Sequence, residues 1–474
     1  MSHLFSTDSV LYTAIATLSA FLWSHFLIAL LLGCGLYFTC RLRFAQFRMV
    51  GEMVRLLSES ILPRQGEKQI SSFQAFAVSV ATRVGTGNLA GVATAIAIGG
   101  PGAVFWMWVT SLVGSASAFV EATLAQLYKQ RSSDSFVGGP AYYMQHGLHC
   151  RWMSVLFAVL ITLTFGLSYN SIQANTICEA WHEAFAIPPF ATGIMLAVMG
   201  VVIVFGGIQR IAKVSSVLVP IMAFGFFFLS LTVVVMNIGM FPRMLQLIVE
   251  NAFGFEQAVG GSVGAAMMAG IKRGLFSNEA GEGSSPNVAA TATTSHPAKQ
   301  GLIQALGVFT DTLLLCSCTA FIILLSGIYQ DPALNGIVLT QNALSSQVGP
   351  IGVYFVAIAI FLFAFSSIIG NYYYGEANIR FLTSSKWVLG IYRVLSAGVF
   401  VLFGSVATLD FVWNIGDLFM ALVTACNLAA ILLLGKYAFR LLNDYCQQKK
   451  EGKDPHFCKR QMPDIEKDIA CWES

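Results

Sequence analysis

Two polar clusters inside apolar segments are the residues of this sequence best suited to do chemistry. Residues 81–88 read ATRVGTGN, and residues 274–286 read GLFSNEAGEGSSP. A charge at the centre of a bilayer costs at least about 2.5 kcal/mol, so such residues normally face protein or a wet cavity. The concentration of glycine, proline, asparagine and glutamate predicts that both helices are interrupted, which is tolerated where free main-chain groups line a cavity.

An interrupted helix exposes N–H groups where one half begins and C=O groups where the other half ends. The half that restarts in the first cluster offers the amides of Thr86, Gly87 and Asn88 to an anion, assisted by the helix dipole. The half that ends near Phe276 or Ser277 offers carbonyls to a cation. Together they predict a receptor for a zwitterion, and a free α-amino acid fits. A sugar lacks both charges, and a nucleotide would require several more cations.

Charged residues flank both clusters. Arg83, Lys272 and Arg273 are opposite in sign to Glu279 and Glu282. We expect ion pairs among them that neutralise the cavity; the alternative is gating, in which the pairs form in one access state and break in the other.

Two further residues of the apolar segments bear on the site. Asp311 lies in the middle of an apolar segment, either as a structural hydrogen-bonding group or as a proton-linked carboxyl. Trp413 lies near a predicted membrane interface, where an aromatic belt would explain it.

The composition requires a membrane to hold these clusters. The chain has 474 residues, of which 56% are hydrophobic and 11% charged, with a mean hydropathy of +0.70. Soluble proteins average about 25% charged residues, and disorder needs low hydrophobicity with high charge. Both classes are therefore excluded, and the net charge of +3 gives no indication of nucleic-acid binding.

Eleven apolar segments are long enough to cross about 30 Å of hydrocarbon as helices, and they predict an all-α polytopic membrane protein with 11 transmembrane helices. The segments are 12–39, 70–99, 102–128, 153–185, 189–208, 214–238, 257–294, 300–328, 350–379, 387–406 and 411–435. The first is no ordinary signal peptide, because Arg41 is the first cationic residue.

Positive charges predict the orientation. Basic residues occur between the first two segments, in every second loop after that and in the tail, whereas the alternate loops contain only Arg243. The positive-inside rule then places the N-terminus outside and the C-terminus in the cytoplasm. Residues 41–68, a mixture of arginine and apolar residues, predict a cytoplasmic interfacial helix, and residues 436–474 predict a cytoplasmic tail.

The positions of the two interrupted segments predict a repeat. When the N-terminal segment is set aside, they are the first and the sixth of ten, which is the signature of two five-helix repeats of inverted topology. The predicted units are therefore residues 1–69 with the extra helix, 70–238 and 257–435 as the two repeats, and the tail at 436–474.

Residues 99–114, GGPGAVFWMWVTSLVG, resemble the signature of the alanine or glycine:cation symporter family, also called sodium:alanine symporters. Residues 85–88 and 277–281 are also similar to that family. The resemblance implies a leucine-transporter-like fold with an extra N-terminal helix in the cell (inner) membrane. It also implies inward transport of alanine or glycine with sodium, or with protons in some members.

The resemblance also implies site residues. It places Gln173 in the substrate pocket, and Asn278, another neutral polar residue, is expected to contact substrate as well. The implied sodium ligands are Ala81, Val84, Phe363, Ser366 and Ser367. Two adjacent hydroxyls in an apolar segment suit sodium chemically, although a serine in a membrane helix also bonds to a carbonyl of its own helix.

We therefore expect a secondary active symporter that imports alanine and glycine with a sodium gradient. Proton coupling, or a transport-like amino-acid sensor or channel, is the alternative. A membrane enzyme finds no support, because HExxH and histidine clusters are absent from the sequence. Sodium is the one expected coupling ion, with no organic cofactor, no nucleic acid and no obligate protein partner; the partners are the amino acid and the lipid bilayer.

Overall fold

The computed structural model describes residues 10–61, 70–132, 136–204, 207–254 and 263–473. Most of them are helical, and the strands in these ranges form one short antiparallel pair, Gln130–Arg131 and Phe136–Val137. The first half contains α1 Tyr12–Arg41, α2 Ala45–Arg48, α3 Val50–Glu59, α4 Ser72–Arg83, α5 Gly87–Gly99, α6 Gly102–Leu127, α7 Pro140–His146, α8 Arg151–Phe185, α9 Pro189–Val204, α10 Gly207–Met236 and α11 Phe241–Phe253. The second half contains α12 Val263–Asn278, α13 Pro286–Ala289, α14 Pro297–Ser326, α15 Gly336–Val348, α16 Ile351–Leu382, α17 Lys386–Val406 and α18 Leu409–Lys450.

Each of the eleven predicted segments contains a helix. Seven helices of the described part of the chain are individually long and apolar enough to cross a membrane, and a pair bent by 104°, Pro220–Met236 with α11, makes up to eight. The α5 and α9 helices are apolar but shorter. The all-α membrane architecture is confirmed, whereas the count of eleven spans and the inverted repeat stay predictions. Arg64, Lys68 and the beginning of segment 257–294 lie outside the described residues.

Both predicted interruptions are present. The helix is interrupted at Val84 and Gly85 between α4 and α5, and the first break below means residues 84–88, which include the start of α5. The second interruption is the segment 279–285 between α12 and α13, in which Glu279, Gly281 and Gly283 have φ values of 55°, 91° and 80°. These left-handed conformations stop the helix, and glycine adopts them without steric cost. The second break below means residues 276–285, which include the end of α12.

The restart after the second break has no side-chain cap. Pro286 occupies the first turn of α13, which has only four residues, and the Ser285 side chain forms no capping bond. Ser285 Oγ instead accepts a hydrogen bond from Arg83 Nη2 at 3.0 Å. A buried guanidinium therefore takes the group that would otherwise cap the helix.

The ends of the two broken helices away from the breaks also meet. Ile70, just before α4, forms a parallel bridge with Ala292, and Thr293 N–H donates to Ile70 O at 3.0 Å. The α6 helix packs along α12 and α14. Its distance from α12 is so short that the contact requires glycine at position 270. A Cβ on Gly270 would lie only 2.7 Å from Trp106 Cβ.

The C-terminal segment is more ordered than a polar tail. The α18 helix continues to Lys450, beyond the predicted end at 435. The following residues return to the protein, where Phe457 N–H donates to Ser295 O at 2.9 Å and Lys299 Nζ lies 2.6 Å from Asp454 Oδ1. Phe457 is buried.

Candidate functional site

The two breaks contact each other. A Cβ built on Gly87 would lie 3.0 Å from Ser277 Cα and 3.1 Å from Phe276 Cδ1. Predicted substrate residues from sequence positions almost 200 apart are therefore neighbours, and a side chain at position 87 would require Ser277 or Phe276 to shift by a few tenths of an ångström.

Gln173, on α8, contacts the first break directly. Its Oε1 accepts hydrogen bonds from Thr86 N–H at 2.9 Å and from Thr86 Oγ1 at 2.7 Å. Asn88 closes the same break from the other side, because its Oδ1 accepts from Gly85 N–H at 3.0 Å. The start of α5 thus offers donors to an acceptor oxygen, here a carboxamide oxygen.

Asp311, on α14, links the two breaks. Its carboxylate accepts from Asn88 Nδ2 at 2.7 Å, from Ser277 Oγ at 2.7 Å and from Thr312 Oγ1 at 3.0 Å. The side chain is fully buried. Asp311 therefore forms the hydrogen bonds of a structural group, and it is also a titratable group in contact with both broken helices.

Ser367, on α16, lies against the end of α4. Its hydroxyl is 2.9 Å from Ala81 O, 3.4 Å from Val84 O and 3.1 Å from Phe363 O. Ser366 Oγ donates to Phe363 O at 2.8 Å, a bond within its own helix. Three of the five implied sodium ligands, the carbonyls of Ala81, Val84 and Phe363, thus surround the hydroxyl of a fourth, Ser367. The fifth, Ser366, is bonded to a carbonyl of its own helix.

The expected pairing of basic residues with Glu279 and Glu282 is wrong. Lys272 and Arg273 instead pair with Asp417 on α18, each at 2.9 Å. The α12 helix directs these two side chains toward α18, whereas both glutamates lie beyond its end, in the second break.

Neutral donors contact one oxygen of each glutamate, and Glu282 Oε1 is buried with no hydrogen-bond partner among the described residues. Glu279 Oε2 accepts from Ser284 Oγ at 2.5 Å and lies 3.4 Å from Thr82 Oγ1. Glu282 Oε2 accepts from the Tyr169 hydroxyl at 3.2 Å. Arg83, also placed in the expected pairing, donates to Ser285 Oγ at 3.0 Å and to Gln304 O at 3.3 Å.

Aromatic rings enclose Phe276. The ring centroids of Tyr169 and Trp413 each lie 4.6 Å from that of Phe276. The Arg273 guanidinium lies 3.9 Å from the centroid of Trp413. The interfacial role expected for Trp413 is wrong, because this side chain is buried against the second break.

Asn278 ends α12 with an incompletely bonded side chain. Its Oδ1 accepts from Ala280 N–H at 3.0 Å, whereas its Nδ2 is buried and has no partner among the described residues. Buried polar groups are normally bonded, so this amide is suited to a partner other than the protein.

The sequence did not single out several residues that the structure brings to the site. Tyr169 contacts Phe276, and Glu121 and Asn427 contact the main chain of the second break. Glu121 and Asp417 were visible as the lone charges of their apolar segments. Their positions in the sequence did not indicate which residues of the site each of them contacts.

A solved structure shares this fold. The crystal structure of a mutant of the Eremococcus coleocola manganese transporter superposes with a TM-score of 0.54, covering 86% of this chain and 92% of the other, at 14% sequence identity. That likeness shows the fold alone.

Proteins of more similar sequence are also known. The chain is 54% identical over 451 residues to the "Probable sodium/glutamine symporter GlnT" of Bacillus subtilis, covering 95% of this chain and 94% of that protein. It is 51% identical over 455 residues to the amino-acid carrier protein AlsT of the same organism, with 96% of each covered. The family model for sodium:alanine symporters matches residues 8–459. The chain is therefore a multi-pass membrane protein that belongs to the sodium:alanine symporter family.

Proposed function

We propose that this protein is a secondary active symporter that imports small amino acids, alanine and glycine, with a sodium gradient. The contact between the two breaks is the observation that carries the proposal. It joins the start of one half-helix to the end of another, so a zwitterion would meet N–H donors and C=O acceptors at one place.

The first break would bind the substrate carboxylate. The N–H and hydroxyl of Thr86 already donate to a carboxamide oxygen, that of Gln173. A carboxylate oxygen accepts the same bonds with a charge added, which makes them stronger. Gly87 and Asn88 would add main-chain N–H groups at the positive end of the helix dipole.

The second break would bind the substrate ammonium. The carbonyls of Phe276 and Ser277 lie in the last turn of α12, where main-chain acceptors have no helical partner. Asn278 Oδ1, which accepts one bond from Ala280 N–H, has a second lone pair for the ammonium, while its unpartnered Nδ2 is a donor suited to the substrate carboxylate. The close approach of Gly87 to this turn, and the ring of Phe276, favour a side chain no larger than a methyl group.

Sodium would bind where α16 meets α4. The carbonyls of Ala81, Val84 and Phe363 surround the Ser367 hydroxyl, and a rotation of Ser366 would add a second hydroxyl. Oxygen ligands of this kind suit a hard cation. The ion would tie the broken helix to its neighbour and so favour one access state over the other.

Proton coupling is the alternative that a specific observation favours. Asp311 contacts Asn88 in the first break and Ser277 in the second. A change in its protonation would therefore alter hydrogen bonds to both breaks at once. Glu279 and Glu282 are further proton-carrying candidates, while Arg83 and the pairs of Lys272 and Arg273 with Asp417 are the candidates for gating.

The membrane arrangement belongs to the same proposal. We place the N-terminus outside and the C-terminus in the cytoplasm from the loop charges, with the two inverted repeats at 70–238 and 257–435. Labelling of Arg243→Cys and Lys299→Cys in intact cells tests this arrangement. Only the cysteine at position 243 should react with a membrane-impermeant maleimide.

Uptake into proteoliposomes tests the transport proposal. Labelled alanine should accumulate with an inward sodium gradient, and it should fail to accumulate with potassium or with a pH gradient alone. Alanine, glycine and serine should compete, whereas leucine, phenylalanine and glutamine should compete poorly. Accumulation driven by a pH gradient without sodium would indicate proton coupling and make Asp311 the candidate proton carrier. Competition by glutamine as strong as that by alanine would contradict the proposal that the pocket accepts only small side chains.

A further inference from the structure

Gly281, in the middle of the second break, has both of its main-chain polar groups held by side chains of other helices. Glu121 comes from α6 and Asn427 from α18. Both are fully buried. Neither residue belongs to the substrate or sodium sets proposed above.

Glu121 holds the N–H group. Its Oε1 lies 3.3 Å from Gly281 N, and its Oε2 accepts a hydrogen bond from Asn427 Nδ2 at 2.8 Å. Both carboxylate oxygens are therefore used, one on the break and one on Asn427.

Asn427 holds the C=O group. Its Nδ2 donates to Gly281 O at 2.9 Å as well as to Glu121, and its Oδ1 accepts from the hydroxyl of Tyr143 on α7. The result is a continuous hydrogen-bonded unit of Tyr143, Asn427, Glu121 and Gly281.

The main chain at Gly281 needs such partners. Its φ of +91° takes it out of any helix, so its N–H and C=O have no helical partner. A buried main-chain group left without a hydrogen bond destabilises the fold. A side chain at this position would be strained by the positive φ and would displace Leu428, whose Cδ2 would lie 2.9 Å from the new Cβ.

The same contact sets the position of the neighbouring site residues. Gly281 is three residues after Asn278, and the two intervening residues, Glu279 and Ala280, are buried. Movement of Gly281 relative to α6 and α18 would therefore displace the end of α12, including Ser277 and Asn278. The first break and Ser367 are held by other contacts, those of Gln173 and of Ala81.

We infer that Glu121 and Asn427 are positioning residues, which hold Gly281 and thereby place the end of α12 that binds the amino group of the substrate. The inference rests on the proposed function for the identity of that substrate. It predicts that loss of either residue weakens amino-acid binding and leaves sodium binding at Ser367 intact.

The test uses Glu121→Gln and Asn427→Ala, with Tyr143→Phe as the matched control. A glutamine can supply one acceptor to Gly281 but turns an NH2 group toward the NH2 of Asn427, so one bond is lost. Tyr143→Phe removes a hydroxyl from the same unit without touching Gly281. Two measurements on the purified full-length proteins follow: alanine affinity at saturating sodium, and the sodium midpoint for thermal stabilisation without amino acid.

We expect Glu121→Gln and Asn427→Ala to weaken alanine binding about 10-fold or more. Their sodium midpoints should stay within about twofold of wild type. Hydrogen–deuterium exchange should rise in the peptide that contains 279–285 and stay unchanged in the peptide that contains 84–88, with Tyr143→Phe close to wild type in all three readouts.

Unchanged alanine affinity in folded variants would overturn the inference, as would faster exchange throughout the protein or an equal loss of sodium affinity. These outcomes are distinct from a failure of the proposed function, which would be a wild-type protein that binds no alanine. If one variant does not fold, the other provides the same three readouts.

Discussion

Asp417 and Arg273 form a two-pronged ion pair inside the protein, with Oδ1 2.9 Å from Nη1 and Oδ2 2.9 Å from Nη2. Lys272 Nζ also lies 2.9 Å from Oδ2. One carboxylate of α18 thus serves two cations of α12, the helix that ends at the second break. The pair joins α12 to α18 at a point close to Trp413.

Removal of Asp417 should destabilise the protein strongly. Asp417→Ala would leave two cations without their counter-charge, and breaking a buried pair in this way costs about 3–5 kcal/mol. The melting temperature in detergent should fall by several degrees. Asp464→Ala is the matched control, because Asp464 pairs with Arg440 at the exposed surface, where such pairs contribute about 0–1 kcal/mol. Equal effects of the two changes would contradict the structural role.

Ser367 and Ser366 should differ in their effect on sodium. Ser367→Ala removes the hydroxyl that lies among carbonyls of two helices, so the sodium midpoint for alanine uptake should rise, with partial rescue at high sodium. Ser366→Ala removes a hydroxyl bonded to its own helix, and its effect should be smaller. Because binding is reciprocal, each ligand should raise the affinity for the other by the same factor. An unchanged midpoint in Ser367→Ala would rule out this sodium site.

Gln173 should affect substrate binding directly. Gln173→Ala removes a neutral polar group that we expect to bond to the charged substrate, and loss of one partner of such a buried charge-assisted bond costs about 1.5–3 kcal/mol. Alanine affinity should fall about 10- to 150-fold, and Asn278→Ala should act in the same direction. Asn175→Ala is the control on the same helix, because Asn175 bonds to carbonyls of Gly404 and Ala407 instead. Normal alanine binding in well-folded Gln173→Ala would make Gln173 a packing residue.

Gly87 should tolerate no side chain. In Gly87→Ala the new Cβ would meet the main chain of Ser277 at 3.0 Å, so the two breaks would have to separate. We expect little alanine uptake at normal surface expression. Gly91→Ala is the control one turn later, where the nearest atom lies at 3.7 Å, an ordinary contact. Equal uptake by the two variants would contradict the close approach of the breaks.

Lys129, just beyond the end of α6, should make the stability depend on pH. Burial lowers the pKa of its ammonium from 10.5 to about 7, and its Nζ lies 4.3 Å from the centroid of the Trp472 ring and 2.8 Å from Gln126 Oε1. Between pH 7 and about 10 the unfolded state binds more protons at this residue than the folded state, so stability should rise with pH. Thermal unfolding of Lys129→Met should lack this part of the rise between pH 7 and 9. An identical pH profile in wild type and variant would remove Lys129 as its source.

Local sequence chemistry alone determined where the membrane helices and their two breaks lie. Apolar length predicts a span regardless of its neighbours, and glycines with Pro286 interrupt a helix through their own main-chain preferences. The prediction of a receptor for a zwitterion followed from those breaks. The family resemblance supplied the sodium set, of which the Ser367 hydroxyl contacts the carbonyls of Ala81 and Val84.

The tertiary structure alone decided the partners of the buried charges. Sign and proximity in sequence favoured Glu279 for Arg273, but the pair forms with Asp417, which is 144 residues away. Glu121 likewise meets Gly281 across 160 residues. A main-chain break depends on the residues within one or two turns, whereas the partner of a long side chain depends on which helix packs beside it and on the direction in which each face points.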